Sequence, residues 1–431
     1  MIFLTLLLNG LLISGIVLFL WQRENHQKLK PYFFPALLLK CACCIVLGLL
    51  YYFYYSGGDT YGFHKQASVL SDFAKTTPVP YVKFLFWSDA GSAVMREVLQ
   101  FNEYTKALSL IKLLSLLNFI TGYNYYLNGI YLSIFCFAGS WFLVRTIHRL
   151  FPETTGAALV AFLFFPSVVF WASGVMKESL LLGCIFALVA IALRFTYSRY
   201  KYLLLETVLA LCCVFIIWDI KFFVGGVLFP VLLAWWLVSW LKQKTPALRG
   251  AIKETVLFFV VLVTVVVVVM QLHPVLRSTN FLQQEIVRAH DLLLEKNVGQ
   301  PVIVYQNLEP TFSSFIRNTP LALFSVLFRP LPGEGNSWLW WAQGLENLVL
   351  IVLFLFAIVS ILNKKERSFE LFHLALVVYI VVMAVFLALS TPNLGTLSRY
   401  RVVFLPFLVY LLLQNNYLIR FLGGFRAKVQ A

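Results

Sequence analysis

Apolar residues in this chain come in long unbroken blocks, without the two-residue alternation of a membrane barrel strand. The blocks are 2–21, 33–55, 124–144, 155–172, 179–195, 202–218, 222–240, 254–272, 339–362, 369–390 and 401–415. Each is close to the roughly 17–25 residues that cross a hydrocarbon core about 30 Å thick. Lipid offers no partner to a backbone N–H or C=O, so the blocks are predicted to be helices. The expected fold is all-α: a polytopic integral membrane protein of about 11 transmembrane helices, with two long extracytoplasmic loops carrying amphipathic or re-entrant helices. Its parts are an N-terminal membrane module over 1–272 with an outer loop at 56–123, an extracytoplasmic segment over 273–338, and a C-terminal membrane module over 339–431.

Composition supports this reading. Hydrophobic residues make up 61% of the 431 and charged residues 12%, about half the charged share of a soluble domain. The first block reads as a retained span. No basic stretch precedes it, and it ends in Trp21-Gln-Arg-Glu24 with no small-residue cleavage site. All seven cysteines fall inside apolar blocks. Cys41, Cys43 and Cys44 have no histidine beside them in a polar loop, so neither a disulfide framework nor a zinc site is expected.

Charge gives the blocks a direction. The short connections 22–32, 145–154, 194–201, 241–253 and 363–368, with the tail 415–431, are rich in Lys and Arg. The positive-inside rule puts them in the cytoplasm, with the N-terminus outside and the C-terminus inside. The net charge of +15 is then a topology signal. It is not a nucleic-acid footprint, because the cations are dispersed over short loops. On the other side lie 56–123, 173–178, 219–221, 273–338 and 391–400, which hold most of the carboxylates. Residues 106–120, with Lys106, Ser109 and Ser115 among leucines, suit an interfacial helix. Residues 281–296 set Leu282, Ile286, Ala289 and Leu293 on one stripe, with Asn280 as a cap. Pro301–Tyr305 reads as a short strand and 320–328 as a half-buried helix too short to span.

The candidate chemistry gathers at the outer ends of the blocks, where charges near membrane depth are costly. After Gly57-Gly58, Asp59 is placed to act as a general base or to hold a divalent cation (Mg²⁺ or Mn²⁺) that carries phosphate. The competing reading is a carboxylate that caps the helix starting near Thr60. His64 follows on the same segment. At Pro166-Ser167 the fourth block is expected to kink, and Lys177 with Glu178 opens the next helix, a natural anion site or a snorkelling pair. Asp219 and Lys221 share a tight turn. Arg329, Trp338 and Glu346 lead into the ninth block, with Glu346 about two turns inside it. Arg399, Tyr400 and Arg401 open the last. Guanidinium groups bind phosphate bidentately and keep their charge. Together Lys177, Lys221, Arg329, Arg399 and Arg401 make five outer cations suited to a lipid phosphate, with an acid to work on its sugar.

Gly58-Asp59 with Tyr61, the Phe-Pro-Ser-Val-Val-Phe-Trp stretch at 165–171 with Lys177-Glu178, and Asn393-Leu-Gly-Thr-Leu-Ser-Arg-Tyr-Arg401 with Pro406 resemble bacterial membrane proteins of surface-polysaccharide synthesis. These are grouped with the GT-C superfamily of polyprenyl-phosphate-sugar glycosyltransferases. The resemblance implies sugar transfer involving a polyprenyl-(pyro)phosphate carrier and a glycan acceptor at the outer face of a bacterial inner membrane. It also implies Asp59 as the catalytic acid of the first outer loop. The usual second acid is absent, since Thr60 follows Asp59. O-antigen polymerases, which join lipid-linked units without a metal, share the outer arginines and the large late loop. A flippase for lipid-linked sugars is the non-enzymatic alternative.

Overall fold

The computed structural model describes residues 2–24, 26–87, 107–197, 203–272, 279–297, 299–362 and 370–414. Lys106 and the basic stretches 198–202, 363–369 and 415–431 lie outside them. Along the chain run α1 (Ile2–Gln22), α2 (Lys30–Phe53), α3 (Gly58–Thr76), α4 (Pro78–Trp87), α5 (Leu108–Thr121) and α6 (Tyr125–Leu150). Then come α7 (Thr155–Leu159), α8 (Pro166–Trp171), α9 (Lys177–Tyr197), α10 (Leu203–Lys244), α11 (Ala251–Leu272) and α12 (Thr279–Glu295). The last are α13 (Phe312–Phe328), α14 (Trp338–Leu362), α15 (Leu371–Ser390), α16 (Leu394–Tyr400) and α17 (Leu405–Gln414).

The described residues are all-helical, and eight helices are long and apolar enough to cross a membrane, or nine if α16 and α17 count as one bent span. This is a polytopic membrane protein. The α1 and α11 windows are only 6% buried, yet their mean hydropathies are 2.4 and 2.6. A helix apolar all round with so little protein cover is one that lipid covers. Three places account for the lower count. Blocks 202–218 and 222–240 count as one element, the 42-residue α10, but a kink at Lys221 (φ −145°, ψ 80°) separates them within the expected turn. Block 155–172 is split into α7, a π-turn over Val160–Phe164, and α8. Block 401–415 begins earlier, at Leu394, and bends by 66°.

The chain forms two compact units, Met1–Arg149 with Val168–Ile191 and Tyr200–Phe223, and Leu150–Ser167 with Ala192–Arg199 and Val224–Ala431. In the first, Gly57 at φ +97° makes the turn that releases α2 into α3. Phe63, Ala67 and Leu70 of α3 then pack on Leu110, Ile111 and Leu114 of α5. α5 is therefore packed into a core rather than lying alone in the interface. Ser115 is fully buried, accepts or donates to Tyr81 Oη at 3.0 Å, and its carbonyl accepts from Ser71 Oγ. Elsewhere in this unit α6 and α9 meet at two glycines. A Cβ added at Gly139 would stand 2.2 Å from the Gly183 carbonyl oxygen, the close backbone approach that small residues permit between membrane helices. Gly139→Val is expected to remove most of the monodisperse protein recovered in detergent, checked by size-exclusion chromatography.

In the second unit α15 is central, packed by α12, α13 and α17. α13 turns Ser314, Asn318, Ala322, Ser325 and Val326 inward, one helical stripe at three- and four-residue spacing. The half-buried helix expected at 320–328 thus begins at Phe312. On α12 the buried positions are Ile286 and His290, while Leu282 is 39% exposed. Of the expected stripe Ile286 is buried, Ala289 and Leu293 are half-buried and Leu282 is exposed, and the helix begins at Thr279, ahead of Asn280. Pro301–Tyr305 makes one antiparallel bridge, Val302 with Asn393, flanked by Ile303 N–H to the Pro392 carbonyl at 2.9 Å and Leu394 N–H to the Pro301 carbonyl at 3.1 Å.

Candidate functional site

Two helix interruptions and one acid build the site in the second unit. The first interruption is set by Pro166. The residue before a proline is pushed out of the helical region, and Phe165 is extended at φ −67°, ψ 123°. The second is set by Pro406, which has no N–H to continue a helix. α16 therefore ends in a tight turn over Arg401–Val403 before α17 begins. The polar groups these breaks free meet Glu346 of α14. Ser167 N–H donates to Glu346 Oε2 at 2.9 Å, and Arg401 Nη2 donates to Oε1 at 3.4 Å. The Arg401 side chain is 1% exposed and that of Glu346 11%. Arg401 Nε and Nη1 find no hydrogen-bond partner among the described residues. Buried guanidinium N–H groups left unmade are costly and call for an explanation.

Around this pair the arginines and aromatics have separate settings. Arg329 Nε donates to Glu334 Oε1 at 2.7 Å, and Glu334 Oε2 accepts from Leu331 N–H. The Arg399 guanidinium lies over the Tyr400 ring at 5.4 Å. Asn393 caps α16 by accepting from Thr396 N–H at 2.9 Å. Trp338 is 64% exposed, whereas Trp340 is buried. Asn347 is fully buried and its Nδ2 donates to the Pro330 carbonyl at 2.7 Å.

The first unit holds the other predicted residues. Lys221, at the break in α10, pairs with Glu178 at 2.9 Å, with side-chain exposures of 7% and 2%. Lys177, the first residue of α9, sits over the Phe63 ring at 5.4 Å. Asp59 is exposed in the first turn of α3. Gly57 is the cap of that helix and no side chain caps it; an acid in the first turn still complements the helix dipole. Five residues along α3, His64 lies edge-on to Tyr125 at 5.6 Å and its Nδ1 is 3.4 Å from Asn128 Nδ2.

Three of the five predicted cations, Lys221, Arg329 and Arg401, each have a carboxylate partner. Sequence reasoning placed Glu346 and Arg401 apart, and the structure joins them. It missed Glu334, whose Gly-flanked position reads as a solvated loop. It also missed Glu24, which sits among cations in the sequence. Glu24 is 1% exposed and accepts from Trp141 Nε1 at 3.0 Å. Among the described residues no three His, Cys, Asp or Glu side chains gather as a cation cage.

Burial pushes the His64 imidazole below its ordinary 6.5, against a hydrogen bond involving the Tyr123 backbone. The unfolded chain then takes the proton more readily than the folded one. Stability should fall as pH drops from about 6.5 through the lower folded value. His64→Gln is expected to flatten that part of the pH dependence, read from melting temperatures in detergent.

Comparison with protein-family models, with curated proteins and with solved structures yields no match. The functional reading rests on the chain's own residues.

Proposed function

We propose that this chain is a membrane glycosyltransferase. It acts at the extracytoplasmic face of a bacterial inner membrane on a polyprenyl-(pyro)phosphate-linked sugar, with its N-terminus outside and C-terminus in the cytoplasm. The observation that carries the reading is Arg401, a buried guanidinium whose Nε and Nη1 have no hydrogen-bond partner among the described residues, held at a helix break beside Glu346. Non-helical backbone at membrane depth is tolerated where it lines a site. A permanently charged planar donor set there matches a phosphate oxygen.

In the reaction the acceptor hydroxyl attacks the sugar's anomeric carbon, and the bond from that carbon to the phosphate oxygen breaks. The carrier phosphate leaves with the bonding electrons and is held by Arg401. The hydroxyl proton passes to a carboxylate. Glu346 is the group beside the arginine, and Asp59 is the acid that the first outer loop supplies. Glu346→Gln and Asp59→Asn separate them: the base is the one whose loss removes the surface glycan at normal protein level, with a rate fall of about 10²–10⁴-fold. Undiminished glycan in Asp59→Asn would remove Asp59 from the mechanism.

Two other readings have an observation behind them. A site that handles charge with an arginine–glutamate pair suits a polymerase joining lipid-linked units. Interrupted helices meeting at a buried charge also suit a transporter for such lipids. The lipid-linked pool of a deletion strain decides. An incomplete unit or a monosaccharide carrier accumulates for a transferase, complete single units accumulate for a polymerase, and units held on the inner leaflet indicate a flippase.

A further inference from the structure

The proposed phosphate site has a second kind of unfilled valence beside it. Asn347 follows Glu346 on α14, and its Nδ2 is committed to the Pro330 carbonyl. The amide cannot be turned over, because that would set oxygen against oxygen. Its Oδ1 is therefore left as an acceptor in a side chain with 0% exposure, and it has no partner among the described residues. One turn back on the same helix face, Gln343 Oε1 is likewise buried and unpartnered. Ser167, whose N–H reaches Glu346, has a buried Oγ in the same condition. So donors stand unfilled on Arg401 while acceptors stand unfilled at Asn347, Gln343 and Ser167.

A bare phosphate answers only the first set, since at neutral pH it offers acceptors. A hydroxylated ring attached to that phosphate answers both, because each hydroxyl donates one hydrogen bond. We infer that Asn347 and Gln343, with Ser167, form a hydroxyl-recognition subsite that selects the glycosylated carrier over the bare one. The inference rests on the reading of Arg401 as the phosphate ligand. Ordered water filling the same valences is the competing occupant, and it predicts no such selectivity.

The test uses the full chain in nanodiscs. The probes are the lipid-linked saccharide extracted from the deletion strain and undecaprenyl phosphate, supplied together, with the retained lipid quantified by mass spectrometry. The wild type should retain the glycosylated lipid preferentially. In Asn347→Leu and in Gln343→Met the ratio of glycosylated to bare carrier should fall about tenfold, the worth of one lost hydrogen bond. Gln343 is only half-buried, so its variant keeps the test alive if Asn347→Leu fails to fold. An unchanged ratio in folded Gln343→Met, with retention still dependent on Arg401, would overturn the subsite and leave the phosphate reading standing. Retention of neither lipid, or equal retention by Arg401→Gln, would overturn the phosphate reading itself.

Discussion

Arg401→Met is expected to lower stability by about 3–5 kcal/mol, and adding Glu346→Leu to recover most of that loss without recovering activity. The single change leaves a carboxylate that is 11% exposed without its charge partner. The double change replaces the pair by apolar volume, which a buried site tolerates. Two readouts are therefore separable. Thermal or denaturant unfolding in detergent follows the pair as a structural element. Glycan production follows it as a chemical one. A pair retained only to join two broken helices would let the double variant work.

The second large effect lies in the other unit. Lys221→Met removes the ammonium partner of Glu178, which is 2% exposed, and should cost a comparable ~3–5 kcal/mol. Lys221→Met combined with Glu178→Leu should restore the melting temperature toward that of the wild type. Lys221 sits where α10 leaves helical geometry, so the ion pair holds a break as well as two charges. Failure of the double variant to recover would mean that one of these groups has a further essential partner.

Much of this fold was legible in the chain, because membrane helices obey a single constraint. Blocks 33–55, 339–362 and 369–390 became α2, α14 and α15 with ends displaced by a few residues, since nothing but length and apolarity is needed to specify them. The breaks were harder to read. Pro166 was visible, but an apolar block does not reveal that the residues before it wind into a π-turn. Lys221 was visible in a polar turn, but its partner lies 43 residues away in sequence. The same holds for Glu346 and Arg401, 55 residues apart. Each was singled out as a charge near membrane depth, yet pairing is a property of packing that no local pattern carries. The amphipathic stripe on α12 was legible only in part. Ile286 is buried as the period predicts, but Leu282 is 39% exposed and the polar His290 is buried against Tyr305.

The most direct test is the lipid-linked saccharide pool in a strain whose only copy carries Glu346→Leu with Arg401→Met. The expected result is membrane protein at wild-type level with a melting temperature well above that of Arg401→Met and close to the wild type's, no surface glycan, and the same accumulated lipid as the deletion strain. A wild-type pool and normal glycan would contradict the assignment of this pair to the chemistry.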